Sequence, residues 1–313
     1  MRRAVLLYNP TSGRRLQQRL HIIERIAEAL RSRNVIVEII ATNPLTGAAQ
    51  QTIETCAKGV DILFACGGDG TIHEILQGAI FQPKAALGLI PLGTGNVLAR
   101  YLGLPLDPIA AAIAQLNYVP RILPLGLLEY ASIDGPHQRY FLVVAGAGPD
   151  GELVRTSMQS LKLSFGRVAY FIRATRLFLH ARFPVCNVRL TLTSGETIER
   201  RAAGLMAIRG SDLGGFLGPR ILRGAIHQSH LQVTILQRPV RLALLAWIAS
   251  GWLPIPGNRL VETFEAQSVT ATANRNPAQV EADGEWLGHT PIAIRVVPNA
   301  VRMLLPPTWP LER

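Results

Sequence analysis

A short apolar run, Val60, Ile62, Leu63 and Phe64, passes directly into Cys66-Gly-Gly-Asp-Gly-Thr71, after which Ile72, Ile75, Leu76 and Ala79 repeat at helical spacing. The stretch therefore predicts a strand, a glycine turn and a helix. Its three glycines let backbone N–H groups come close to a polyphosphate, and the helix N-terminus adds the positive end of a dipole. A carboxylate beside phosphates is repelled unless a cation intervenes or it accepts a proton, so Asp69 points to Mg²⁺ or to acid–base work. The competing reading is an ordinary strand-to-helix turn, where Gly-Asp-Gly is common because both residue types tolerate turn geometry.

A second glycine loop, Pro91-Leu-Gly-Thr-Gly-Asn96, also follows an apolar run, Ala86 to Ile90, and precedes a helix-like segment, Val97 to Leu102. Two such loops at the ends of successive strands would lie side by side at one edge of a parallel sheet, where α/β folds bind ligands. Neither is a Walker or dinucleotide fingerprint. The chain has no Gly-x-x-x-x-Gly-Lys, and no Gly-x-Gly-x-x-Gly follows its first strand.

The units around these loops repeat the same plan. Ala4 to Tyr8 reads as a buried strand, followed by the loop Asn9-Pro-Thr-Ser-Gly13 and a helix with Leu16, Leu20, Ile23, Ala27 and Leu30 on one face. Arg14, Arg15, Arg19, Arg25 and Arg31 occupy the rest of that helix and read as a solvated face. Val35 to Ile40 is a second strand, with Thr42 just past its end, level with the glycine loops if the strands are parallel. Asp107-Pro108 predicts a capped helix start.

From about residue 119 the texture becomes short alternating runs: Val188, Leu190 and Leu192; Leu231, Val233 and Ile235; Val261 to Ala266; Ser268 to Ala273. These predict an antiparallel sandwich as a second domain. Phe165 to Ala181 reads as a helical insertion with a basic stripe, and Val240 to Ile255 as a buried helix too short and interrupted for a comfortable membrane span. In Val280-Glu-Ala-Asp-Gly-Glu285, an extended chain would put residues 281, 283 and 285 on one side, which suits metal binding or a general base. A solvated edge turn is the alternative.

Composition narrows the partners. Lys and Arg total 32 against 21 Asp and Glu in 313 residues, which favours a negatively charged partner: nucleotide phosphates, an anionic membrane face or nucleic acid. Nucleic acid ranks last, since no aromatic-basic motif accompanies the charge. The widely spaced Cys56, Cys66 and Cys186 have no metal-ligand pattern and read as reduced core residues of an intracellular protein. The short strand after Met1-Arg-Arg is too little for a signal-peptide core.

Asn9-Pro-x-Ser-Gly13, Gly67-Gly-Asp-Gly-Thr71 with Glu74 following, Leu92-Gly-Thr-Gly-Asn96 and Asp283-Gly-Glu285 occur in one order. Together they resemble the diacylglycerol kinase catalytic domain of soluble bacterial lipid kinases, shared by sphingosine and ceramide kinases. The resemblance implies an NAD-kinase-like α/β domain over 1–122. A β-sandwich domain would take 123–313, with the last strand returning to the first domain. It implies ATP and Mg²⁺, with Asn9, Ser12, Gly13, Thr42, Gly67, Gly68, Asp69, Gly70, Thr71, Glu74, Gly93, Thr94, Gly95 and Asn96 at the nucleotide. Glu285 would be the base and Asp283 its orienter, with Asp69 as alternative base and Asp69 and Asp283 as metal ligands. It implies a lipid substrate, a cytoplasmic protein in peripheral contact with the anionic inner face of the membrane, and a second copy of the chain as a possible partner. An NAD kinase and a catalytically impaired nucleotide- or lipid-binding relative are the alternatives.

Three positions depart from the family pattern. Val97 and Pro124 stand where family aspartates are expected, and His227-Gln-Ser229-His230 stands where relatives carry the Asp-Gly of a structural Mg²⁺ loop.

Overall fold

The computed structural model describes residues 2–10, 16–158, 184–210, 226–237, 261–273 and 276–309. The chain divides into two compact units, Met1–Pro124 with Pro298–Arg313, and Leu125–Val297. The helical insertion read at Phe165–Ala181 and the apolar stretch Val240–Ile255 lie outside the described residues. Among the described residues no helix is long and apolar enough to cross a membrane.

In the first unit, β1 (Arg2–Tyr8), β2 (Val35–Ala41), β3 (Ile62–Gly67) and β4 (Ala86–Pro91) run parallel in the order β2, β1, β3, β4. Helices α1 (Leu16–Arg31), α2 (Ala48–Ala57), α3 (Asp69–Ala79), α4 (Val97–Tyr101) and α5 (Pro108–Gln115) connect and flank them. The central strands are buried on both faces, as parallel strands covered by helices must be. Alternation divides β1 between two cores: Ala4, Leu6 and Tyr8 pack with Ile23, Ile26 and Ala27 of α1 and Ala112 of α5, while Val5 and Leu7 are buried on the other face. The cap read at Asp107 is present, its Oδ1 accepting from the Ala110 N–H at 2.7 Å.

The Gln115 side chain is fully enclosed here. Gln115 Oε1 accepts from the Leu89 N–H (2.9 Å) and its Nε2 donates to the Leu89 carbonyl (2.8 Å), completing backbone pairing on β4.

The second unit is antiparallel. Its strands are the latter part of β5 (Val119–Ser132), β6 (Gly135–Phe141), β7 (Val144–Ala147), β8 (Cys186–Leu192), β9 (Thr197–Ala202), β10 (Gly204–Ile208), β11 (Leu231–Leu236), β12 (Val261–Ala273), β13 (Gln279–Ala282) and the first part of β14 (Glu285–Leu305). Helix α6 (Pro149–Met158) follows β7. Pairing runs β14, β13, β7, β10, β11, β12, and β12 also pairs β8 and β14, so the strands enclose a sandwich core. The core is built from inward residues such as Val188, Leu190, Val233, Ile235, Val269 and Ile294. The two runs read at Val261–Ala266 and Ser268–Ala273 form the single strand β12. A register shift between Ala266 and Ser268 restores the inward alternation after Gln267.

Candidate functional site

The strand order of the first unit reverses between β1 and β3, because the chain leaves β1 toward β2 on one side and returns to β3 on the other. Ligands of open α/β sheets bind at the carboxyl ends of strands at such a switch point. Tyr8, Ala41 and Cys66 are in register, as are Gly67 and Pro91, so the segments following β1, β2, β3 and β4 emerge level with one another. Asn9, Thr42, Gly67 to Thr71 and Leu92 to Asn96 therefore share one edge. Ser12 and Gly13 lie outside the described residues.

Helix α3 begins at Asp69 itself, one residue after its N-cap Gly68, and no side chain caps it. Its first-turn N–H groups stand at the sheet edge with Gly70 exposed among them. The second loop touches the first through bare backbone. A Cβ on Gly93 would lie 2.5 Å from the Cα of Gly68, so only glycine lets the two loops meet. Asp69 adds a second tie: its Oδ1 lies 3.4 Å from the Leu98 N–H in the first turn of α4. Asn96, buried and in the left-handed region at φ 48°, clasps Gly93 from both sides, Oδ1 accepting from the Gly93 N–H (2.9 Å) and Nδ2 donating to the Gly93 carbonyl (2.8 Å). Its amide thus shapes the loop, leaving Gly93, Thr94 and Gly95 exposed.

Around this centre, Thr42 is buried with its N–H on the Tyr8 carbonyl (2.8 Å), Thr71 is buried against Gly67, and Glu74 is exposed on α3. Arg19, read from sequence as part of a solvated face, is part-buried and donates to the Asn9 carbonyl (3.1 Å), bracing the first loop. An amphipathic count cannot single out one arginine of five for that work.

In the second unit, the extended reading of residues 281 to 285 is corrected. Asp283 and Gly284 form a tight turn between β13 and β14, with φ 48° and 82°, and Ala282 pairs Glu285 across it. Asp-Gly with both residues at positive φ is a favoured two-residue hairpin turn, and this turn chemistry overrides strand alternation. The three carboxylates consequently meet three different environments. Asp283 accepts from the Leu142, Val143 and Val144 N–H groups at 2.7, 2.8 and 2.9 Å, which ties the turn to this backbone. Glu285 is part-buried and paired with Arg139 of β6, whose guanidinium fixes the carboxylate's direction.

Glu281 is buried, its Oε2 accepting from the Gly284 N–H (2.9 Å). It stands opposite Gly146, and the space a Gly146 side chain would fill is taken by Asp150: the Asp150 Oδ2 lies 1.9 Å from where that Cβ would be. Cross-strand neighbours share a face, so the two carboxyls are close. Asp150 is only half-buried as a residue, but its Oδ2 is sealed from water and has no hydrogen-bond partner. It lines a small cavity, about 20 Å³, with Leu205, Met206 and Leu236. Burial raises both carboxyls above their ordinary range, Glu281 further through the charge of Asp150. Asp150 was not singled out from sequence, although Gly146-Ala-Gly-Pro-Asp150 carries the signal of a glycine turn into a proline-led helix.

The fit of metal ions differs from place to place. At the glycine edge, Asp69 retains acceptor capacity, which suits Mg²⁺ held by one carboxylate and a ligand's phosphates. The 226–230 loop does not fit a structural Mg²⁺. It offers no carboxylate, and the Ile226 and Gln228 carbonyls accept from the Arg209 guanidinium at 2.6 and 3.1 Å. Among the described residues no group of three His, Cys, Asp or Glu could hold a metal.

Comparison with known proteins agrees with this layout. The family model for the diacylglycerol kinase catalytic domain matches residues 3–123, and that for the YegS C-terminal NAD kinase beta sandwich-like domain matches 143–305. A probable lipid kinase, YegS-like, of Pseudomonas aeruginosa (strain UCBPP-PA14) is 30% identical over 277 residues, covering 85% of this chain and 84% of its own. The diacylglycerol kinase of Bacillus subtilis (strain 168) is 32% identical over 179 residues, 56% of either chain, so the match spans about half that relative's length. A solved structure from Bacillus anthracis str. Sterne covers 97% of both chains with a TM-score of 0.73 at 22% identity, a likeness of fold.

Proposed function

This chain belongs to the diacylglycerol kinase catalytic domain family in its YegS-like form, and from that premise we propose that it is an ATP-dependent lipid kinase. It moves the γ-phosphoryl group onto a hydroxyl of an acylated or sphingoid lipid. The observation that carries this reading is the backbone contact of Gly68 with Gly93, which joins two glycine loops into one N–H-lined edge at the sheet's switch point.

When bound, ATP supplies the phosphoryl group and Mg²⁺ neutralises its phosphates. The first-turn N–H groups of α3 with Gly67 to Thr71, and Gly93 to Gly95, hold the phosphates. Asn9, Ser12, Gly13, Thr42, Glu74, Thr94 and Asn96 complete or shape the nucleotide site, and Asp69 holds the metal. Glu285, aimed by Arg139, takes the hydroxyl proton, with Asp69 the alternative base. Asp283 secures the hairpin that carries Glu285. The excess of basic side chains draws the protein to an anionic membrane surface, where the lipid is collected.

Incubation with γ-labelled ATP and a total lipid extract, with NAD supplied in a parallel reaction, tests the reading. A labelled lipid is expected. Label on NAD, or ATP binding without transfer to any lipid, would overturn it.

A further inference from the structure

Arg209 heads the largest side chains that are fully enclosed among the described residues, being 1% exposed immediately after β10. A guanidinium cannot discard its proton, so enclosing one is costly unless its donors meet acceptors. Here Nη2 donates to the Ile226 carbonyl and Nη1 to the Gln228 carbonyl, at 2.6 and 3.1 Å. Both acceptors belong to the turn that leads into β11.

The same residue is tied in the other direction through its backbone. The Arg209 and Gly210 N–H groups both donate to the Val143 carbonyl, at 2.7 and 3.0 Å. The Val143 N–H in turn donates to Asp283 Oδ1 at 2.8 Å. A continuous hydrogen-bonded path therefore runs from the 226–230 turn through Arg209 and Val143 to the turn that presents Glu285.

We infer that Arg209 is a built-in cation: its guanidinium gathers the carbonyls of the 226–230 turn as a divalent ion would, and so positions residues 142–144 and the Asp283-Gly284 turn without metal. Two observations meet in this assignment. The turn lacks any carboxylate with which to hold an ion, and its carbonyls already converge on a fixed positive charge. A single guanidinium with several donors in one plane can bridge two carbonyl oxygens that a point charge would hold only by coordination. The inference concerns the architecture of the second unit and does not depend on which acceptor is phosphorylated.

The test needs no kinase assay. The melting temperature of the intact protein without nucleotide should be the same in EDTA as in millimolar Mg²⁺ or Ca²⁺. A fall in EDTA would overturn the inference, because the unit would then need a metal. Hydrogen exchange of Arg209→Met, which keeps an apolar chain of related length and removes the charge, should quicken at residues 142–144, 226–231 and 282–285. The expected increase is roughly ten- to hundred-fold, the effect of leaving buried carbonyls without a donor. Arg209→Lys should recover part of the protection, since it restores charge with a single nitrogen. Unchanged exchange in Arg209→Met would show that Arg209 acts by filling space, and equal loss in the Lys and Met variants would show that a positive charge is not what orders the turn; either result would overturn the assignment. If Arg209→Met does not fold, Arg209→Lys carries the same decision: quickening confined to these three segments supports the bridge, and wild-type or uniformly altered exchange refutes it.

Discussion

Replacing Asp150 with Asn should make the second unit more stable at neutral pH while removing part of its pH dependence. In the native protein, burial pushes the Asp150 carboxyl from 3.8 up to about 7. A carboxyl raised in this way binds its proton more tightly folded than unfolded. Its contribution is fully favourable below the unfolded value, is lost as pH rises through the folded one, and is a constant penalty above it. The shift of about 3 units, at about 1.4 kcal/mol each, makes that penalty about 4 kcal/mol at pH 8. Integrating the two titrations places about 2 to 3 kcal/mol of it between pH 5 and pH 8. Glu281, raised by burial and then by the charge of Asp150, follows the same sign, and the neutral amide at 150 relieves it as well. Urea unfolding of wild type and Asp150→Asn, followed by circular dichroism at several pH values, measures the difference directly. The variant should gain on wild type by about 2 to 3 kcal/mol from pH 5 to pH 8. Parallel stability curves over that interval would refute the account of a sealed carboxyl at this position.

Gly93→Ala should place a methyl group against Gly68 and part the two loops, lowering ATP affinity by about tenfold or more with the fold retained; calorimetric titration with ATP and far-UV circular dichroism check both halves. Glu285→Gln should reduce turnover by about 10²- to 10⁴-fold with ATP affinity nearly unchanged, and Arg139→Met should reduce turnover in the same direction by freeing the carboxylate. A fully active Glu285→Gln beside an inactive Asp69→Asn that still binds ATP would move the base to the glycine loop. Gln115→Leu should strip both partners from the Leu89 peptide groups and cost about 2 to 5 kcal/mol, read as a fall in urea midpoint without loss of nucleotide binding in the folded protein.

The features legible in the sequence were those written in contiguous residues. The strand, glycine turn and helix at 60–79 and the cap at Asp107 each depend on neighbours within a few positions, and they stand as read. The hairpin at Asp283-Gly284 is legible too, since Asp-Gly is a strong turn signal, but strand alternation competes with it over the same residues. What the sequence withheld was long-range. Arg139 meets Glu285 from 146 positions away, and Gln115 meets Leu89 from 26. No periodicity encodes such partners. Arg209 is the clearest case, because an isolated arginine after an apolar strand reads as a surface residue until its burial is known.

The strand β14 has a consequence for how the protein is made. Its last residues return to the first unit, where Met303 pairs beside Leu87 of β4, the Phe81 N–H donates to the Ala300 carbonyl, and Val301, Met303 and Leu305 are buried. Until residue 305 has left the ribosome, the growing chain carries β4 as a raw edge with an uncovered apolar strip beside it. The first unit is thus translated first and finished last. A gene fragment ending near residue 124 would yield a sticky intermediate rather than a free-standing domain, and chaperone demand during synthesis would fall only when the closing strand arrives.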